Sequence, residues 1–137
     1  MRKILVVDDN RDNQDILIFR LELMGGFEIL VASNGKEALE VASRARPDLI
    51  LMDLGMPVMD GYEATRALRQ TEWGRNVPII AVTAGFTEEH REKALRAGCS
   101  DFIAKPIIDY SIVGKKIQEL FEARDMRTEM APACSTL

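Results

Sequence analysis

The sequence predicts an α/β fold: an open, five-stranded parallel sheet with helices on both faces. Three observations carry this. Short apolar runs alternate with helical segments along the chain. Those runs are continuous rather than alternating with polar residues, the pattern of strands covered on both sides. The connections between segments are short, as in successive β/α units.

The first strand is KILVV, Lys3–Val7. A helix follows over Arg11–Met24, with Leu17, Leu21 and Met24 on one stripe that Ile16 and Leu23 widen, and Gly25-Gly26 stops it. The second strand is EILVA, Glu28–Ala32. Asn34 with Glu37 three residues on is a capping signature for the second helix, which carries Ala38, Leu39 and Ala42. The third strand is DLILM, Asp48–Met52, and Asp60 with Glu63 repeats the signature before the third helix. The fourth strand is PIIAV, Pro78–Val82. Thr87, followed by Glu88 and Glu89, opens the fourth helix, and Gly98 can close it. The fifth strand is DFIA, Asp101–Ala104, and the fifth helix is Ile108–Phe121, with Ile112, Ile117, Leu120 and Phe121. The flavodoxin-like strand order 2-1-3-4-5 is the natural choice at this length, giving a (βα)5 three-layer sandwich. Residues 1–123 read as the domain. Residues 124–137 read as a mobile tail with room for one more helical turn at its start.

Composition narrows the function classes. A net charge of −4 argues against a nucleic-acid surface. No apolar run is long enough to span a bilayer. A first strand beginning at Lys3 leaves no room for a signal peptide. Cys99 and Cys134 are widely spaced, so neither a disulfide nor a metal–thiolate site is expected. The expected location is a reducing cytoplasm.

In a parallel sheet the C-terminal strand ends share one edge, and ligands bind where strand order reverses. Asp8 and Asp9 follow strand one, Asp53 follows strand three, Thr83 and Ala84 follow strand four, and Lys105 follows strand five. Strand two ends in Ala32-Ser33, without an ionisable group. The reactive types therefore fall on the four contiguous strands and skip the edge strand. Taken singly, each has a plain reading: Asp8 or Asp9 as a helix cap, Asp53 as a turn acid, Thr83 as a strand residue, Lys105 as a solvated cation. Taken together they do not. Three carboxylates close together repel one another, unless a divalent cation neutralises them. Mg²⁺ suits all-oxygen ligands and keeps room for water and a phosphate oxygen. Lys105 and Thr83 would then receive a phosphoryl group placed on a carboxylate oxygen of Asp53.

This pattern resembles the receiver domain of bacterial two-component response regulators, of the stand-alone, chemotaxis-regulator kind. ILVVDDN, DLILMDLGMPVMDGYEA, VPIIAVTA and AGCSDFIAKPI stand in the family's order and spacing. The resemblance implies Asp53 as phospho-acceptor. It implies Mg²⁺ held by Asp9 directly, by Asp8 through water, by Asp53, and by the backbone carbonyl of Gly55. Lys105, Thr83 and the backbone amide of Ala84 would bind the phosphoryl oxygens. Thr83 and Phe102 would act as the switch pair; many relatives carry tyrosine at the latter position. Gly55 and Gly85 leave the approach to Asp53 open, so spontaneous dephosphorylation is not expected to be unusually slow.

The implied activity is Mg²⁺-dependent acceptance of a phosphoryl group from a sensor histidine kinase or histidine phosphotransfer protein. Beyond its own phosphorylation and dephosphorylation, no enzymatic turnover is expected. The signal would leave through the fourth helix, fifth strand and fifth helix, toward a downstream protein target. TEEHREKALRAG is mostly polar, so the fourth helix is weakly packed and easily shifted. No nucleic acid or membrane is expected as partner, and the chain should be a monomer or weak homodimer. The sole histidine, His90, lies on that polar helix and should be exposed; Trp73 should pack; Lys115 and Lys116 should be solvated. One alternative is a degenerate receiver acting only as an interaction module, which the intact set Asp9, Asp53, Thr83 and Lys105 opposes. Another is an aspartate-nucleophile phosphohydrolase, but Gly55 stands where a second acid is needed. A third is a flavin carrier, but DDNRDNQ would repel a phosphate without a metal.

Overall fold

Five strands alternate with five helices: β1 (Arg2–Val7), α1 (Arg11–Met24), β2 (Phe27–Ala32), α2 (Gly35–Ala45), β3 (Leu49–Asp53), α3 (Gly61–Arg69), β4 (Ile79–Thr83), α4 (Glu88–Ala97), β5 (Asp101–Ala104) and α5 (Ser111–Ser135). This computed structural model describes residues 1–56, 58–84, 87–105, 107 and 109–135, with side chains as far as Asp125. The strands are parallel and pair in the expected order β2-β1-β3-β4-β5.

Each strand sends alternate side chains to opposite faces. Leu5, Val7, Ile50, Met52, Ile79, Ala81 and Phe102 meet α2, α3 and α4 through Ala38, Ala42, Ala64, Leu68, Ala94 and Ala97. Ile4, Val6, Leu49, Leu51, Ile80, Val82 and Ile103 meet α1 and α5 through Leu17, Leu21, Val113, Ile117 and Phe121. Fully burying one Leu or Ile contributes about 1.5–3 kcal/mol. The two sheet faces are therefore what hold the loops in place. The small residues on α2, α3 and α4 let three helices lie close on one face.

The predicted caps of α2, α3 and α4 are present. Asn34, Asp60 and Thr87 accept hydrogen bonds from the backbone N–H of Glu37, Glu63 and His90. α1 is capped by Asn10, not by Asp8 or Asp9. Asn10 stands immediately before the first helical residue, which leaves both acids outside the helix.

Several sequence expectations change. The buried stripe of α1 is Gln14, Leu17 and Leu21, whereas Ile16, Leu23 and Met24 are 43%, 65% and 46% exposed. α1 shares its face of the sheet with α5, so each needs only a narrow stripe. On α5 the buried face is Val113, Ile117 and Phe121, and Ile112 is 45% exposed. Lys116 is not simply solvated: its Nζ lies 3.0 Å from both Asp101 carboxylate oxygens. β3 and β4 each run one residue further than the apolar pattern, taking in Asp53 and Thr83. α5 continues to Ser135, through the segment read as a tail. Apolar periodicity stops at Phe121, but Glu, Ala, Arg and Met beyond it are good helix formers, and extending an existing helix is easy. Asp125 pairs with Arg2, and Arg124 donates to the Asp48 carbonyl at 2.7 Å, joining the start of this extension to the sheet. His90 is exposed and Trp73 packs against the core, as expected.

Arg69 braces the end of the sheet opposite the strand C-termini. Its guanidinium donates to the carbonyls of Gly98 (2.9 Å), Gly74 (2.7 Å) and Val77 (2.7 Å). These lie in the connections before β5 and β4. Replacing it by a side chain of similar length without donors leaves three carbonyls to find water. Arg69→Met is expected to lower unfolding free energy by about 2–3 kcal/mol. Urea titration should show a lower midpoint with an unchanged slope; an unchanged midpoint would mean that water replaces the guanidinium at no cost.

Candidate functional site

Strand register sets the site. Val7 lies opposite Met52, Asp53 opposite Val82, and Thr83 opposite Ala104. The ends of β1, β3, β4 and β5 are thus level, and the residues at or just past them meet. Asp8, Asp53 and Thr83 are buried, at 2%, 6% and 8% exposure, while Asp9 is exposed at the rim. Oxygens of Asp8, Asp9 and Asp53, one from each, lie within 4.8 Å of one another. The Lys105 ammonium is 2.7 Å from Asp8 Oδ2 and 3.3 Å from Asp53 Oδ2.

The backbone fixes each acid. Asp8 N–H donates to the Ala32 carbonyl at 3.1 Å, and Asp8 Oδ1 accepts from Asn10 N–H at 2.9 Å. Asp53 Oδ1 accepts from Gly55 N–H at 3.0 Å. Behind Asp53 the chain turns tightly into α3, and Gly61 N–H donates to the Leu54 carbonyl at 3.2 Å. A Cβ on Gly61 would lie 2.2 Å from the Asp53 carbonyl oxygen, so only glycine fits there. A Cβ on Gly55 would meet nothing within 4 Å, which leaves that side of the site open. Lys105 N–H donates to the Thr83 carbonyl at 2.7 Å, continuing the β4–β5 ladder and holding the two residues side by side.

The predicted residues Asp8, Asp9, Asp53 and Lys105 are therefore brought together, and Thr83 and Ala84 stand next to them. Ala84 is exposed and shares a cleft with Lys105, Ile16 and Tyr110. Phe102 is 8% exposed and packs inside the face covered by α2, α3 and α4. Gly85 lies outside the described residues. Two contributors were missed from the sequence, Asn10 and Gln14. Asn10 carried a signal, since its type and place before Arg11 are those of a helix cap.

Electrostatics set the resting state. Burial pushes the Asp53 carboxyl above its ordinary 3.8, and the Asp8 charge adds to this. The Gly55 N–H and the Lys105 charge pull the other way without cancelling it. For Lys105, burial works against the charged form, but the hydrogen bond to Asp8 and the charges of Asp53 and Asp8 outweigh it, so its pKa is raised. The two shifts act oppositely on stability. Lys105 contributes stability that is present at neutral pH and is lost only as pH rises through its raised folded value. Asp53 ionises less readily folded than unfolded, so its contribution falls as pH rises from 3.8 through the raised value. At neutral pH the Asp53 carboxylate is a net cost. Asp53→Asn is expected to raise Tm by a few degrees at pH 7 in EDTA, and the gain should shrink toward pH 4. Thermal melts at the two pH values check this; an equal or lower Tm at pH 7 would contradict it.

Comparison with known proteins agrees with this arrangement. The family model for the response regulator receiver domain matches residues 4–129. An uncharacterised 14.6 kDa protein of Leptolyngbya boryana is 45% identical over 104 residues, covering 76% of this chain and 79% of that protein. The polar-differentiation response regulator DivK of Brucella anthropi is 38% identical over 106 residues, covering 77% of this chain and 85% of that one. Among solved structures, the receiver domain of the sensor histidine kinase PA1611 from Pseudomonas aeruginosa PAO1 is 40% identical, with a TM-score of 0.80 over 87% of this chain and 96% of that one. That receiver holds a magnesium ion in its active site cleft. Family match, fold and strand order coincide: the chain belongs to the response regulator receiver domain family.

Proposed function

We propose that this receiver accepts a phosphoryl group on Asp53, in a step that needs Mg²⁺ bound by the neighbouring acids. The observation that carries this reading is the convergence of three carboxylates within 4.8 Å, with a lysine ammonium on two of them. The donor set is all oxygen, as a hard divalent cation requires, and Asp9 at the rim leaves the ion an entry path. Asp9 and Asp53 would hold Mg²⁺ directly, Asp8 through water, with the Gly55 carbonyl a further ligand. Bound there, the ion would screen the acids from each other and neutralise phosphoryl charge.

The chain's own residues divide the remaining work. An Asp53 carboxylate oxygen is the nucleophile. Because burial raises its pKa, charge-compensating partners are needed to keep it ionised and reactive. Lys105 would move its hydrogen bonds from the acids to the incoming phosphoryl oxygens. The Thr83 hydroxyl and Ala84 N–H would complete their coordination. Up to about two added negative charges then bias Thr83 and Phe102. The signal would pass to the α4–β5–α5 surface, where α4 is held through little more than Ala94 and Ala97. No turnover of another substrate is assigned. The phosphodonor is a histidine on a sensor kinase or phosphotransfer protein; the chain's sole histidine, His90, is an exposed residue of the first turn of α4, bonded to the cap Thr87. All the residues assigned to this chemistry lie within residues 1–123, and among the described residues no helix is long and apolar enough to cross a membrane. A reducing cytoplasm is the proposed setting.

The donor protein must reach Asp53 over the rim, and α1 borders that approach. Its outer face carries Ile16, Phe19 and Leu23, exposed by 43%, 58% and 65% and spaced as one stripe. Asp12, Asp15 and Glu22 lie along or to one side of it and Arg20 to the other, which suits a donor helix with an apolar seam and one basic edge. The cleft containing Ile16 opens on Ala84 and Lys105, so this stripe is continuous with the site.

Two outcomes are expected. With Mg²⁺ and acetyl phosphate, mass spectrometry should show one acid-stable, base-labile phosphoryl group, absent from Asp53→Asn and from samples in EDTA. Its decay should not extend over many hours, given the open side at Gly55. Phe19→Lys should leave acetyl phosphate labelling unchanged and slow transfer from a phosphorylated donor protein by about tenfold or more. Equal slowing with both donors would place Phe19 in the fold rather than in recognition.

A further inference from the structure

Gln14 is a polar side chain on the buried stripe of α1, at 8% exposure. Its amide Nε2 donates to the backbone carbonyl of Asp8 at 2.5 Å and to Ser33 Oγ at 3.3 Å. Ser33 N–H in turn donates to Glu37 Oε2 at 3.2 Å, the acid of the α2 capping signature. A chain of bonds thus runs from the first turn of α2, through the end of β2, across Gln14, to the peptide joining Asp8 and Asp9. This is how β2 takes part: the one strand with no reactive residue at its end reaches the site through a neighbour.

We infer that Gln14 is a positioning residue for the acidic pair, setting where Asp9 stands relative to Asp53. The inference rests on the proposed Mg²⁺-dependent function. The Asp8 carbonyl belongs to the Asp8–Asp9 peptide, a planar unit that also contains both Cα atoms. Asp8 N–H is already bonded to the Ala32 carbonyl. Gln14 pins the other side of Asp8, so the peptide plane cannot rotate, and the Cα of Asp9 is fixed with it. This matters because Asp9 is exposed and, unlike Asp8, has no Lys105 contact among the described ion pairs. Its direction is inherited from its backbone. Gln14 is itself held firmly, since its N–H donates to the Asn10 carbonyl at 3.1 Å in the first turn of α1. Loss of the amide would free the peptide and widen the range of places that the Asp9 carboxylate visits. The ion would then bind to a less prepared set of ligands. Partners one step removed from a metal typically change its affinity by about 10–100-fold.

The test measures Mg²⁺ affinity of the full chain by isothermal titration calorimetry, beside thermal melts in EDTA. Wild type, Gln14→Met, Ser33→Ala and Leu21→Ala are compared. Gln14→Met keeps length and removes the donor, and should weaken Mg²⁺ binding by about tenfold. Ser33→Ala removes only the outer acceptor, folds without difficulty, and should weaken binding by a smaller factor, about twofold to threefold. Leu21→Ala opens the core one helical turn or more from the site; it should lower Tm and leave Mg²⁺ affinity unchanged. Support requires affinity to fall in Gln14→Met and Ser33→Ala and not in Leu21→Ala. Unchanged affinity in a folded Gln14→Met overturns the inference, as does a loss in Leu21→Ala of the same size, which would reduce the effect to stability. If Gln14→Met does not fold, Ser33→Ala decides in the same way. If wild type binds no Mg²⁺, the proposed function fails first and the inference with it.

Discussion

The contact of Lys105 with Asp8 and Asp53 is the interaction on which the site depends. Two buried carboxylates facing one another, with a third at the rim, would be untenable without a cation. The ammonium at 2.7 and 3.3 Å supplies it. Its position comes from the sheet, because the Lys105 backbone continues the ladder onto Thr83. A chain whose stability comes from two apolar faces thereby supports a concentration of charge along one edge. The pKa shifts express the same balance from each side: the lysine gains from the arrangement, and Asp53 does not.

That imbalance has a functional meaning under the proposed reading. An acid satisfied by its surroundings is a poor nucleophile, because reaction must first undo favourable contacts. Asp53 is held in place by the Gly55 N–H and by its strand, yet remains short of compensation. A metal ion and then a phosphoryl group would each relieve part of the deficit. Lys105, already shared between two acids, would exchange one of them for a phosphoryl oxygen.

Much of this was legible in the sequence, for identifiable reasons. Continuous apolar runs gave five parallel strands, because burial on both faces removes the polar alternation of half-exposed strands. Once strand order is set, backbone geometry brings Asp8, Asp53, Thr83 and Lys105 to one edge. The caps Asn34, Asp60 and Thr87 were readable because short polar side chains before a helix have a local job. Tertiary relations were harder. Ile16 and Leu23 looked like core residues, but periodicity cannot say that α1 shares its face with α5. The continuation of α5 past Phe121 has no apolar stripe to announce it. Lys116 sits on a polar face and gave no sign of Asp101, fifteen residues away. Gln14 is an uncharged amide in a helix, and its partners come from two strands brought near it only by folding.

Gly61 carries one further consequence. With its hydrogen pressed against the Asp53 carbonyl, the tight turn fills the space behind Asp53. The Asp53 main chain therefore has no room to retreat on that side. Under the proposed reading, bulk added to the Asp53 side chain would have to be taken up elsewhere than behind it, so one glycine narrows the directions in which the site can give.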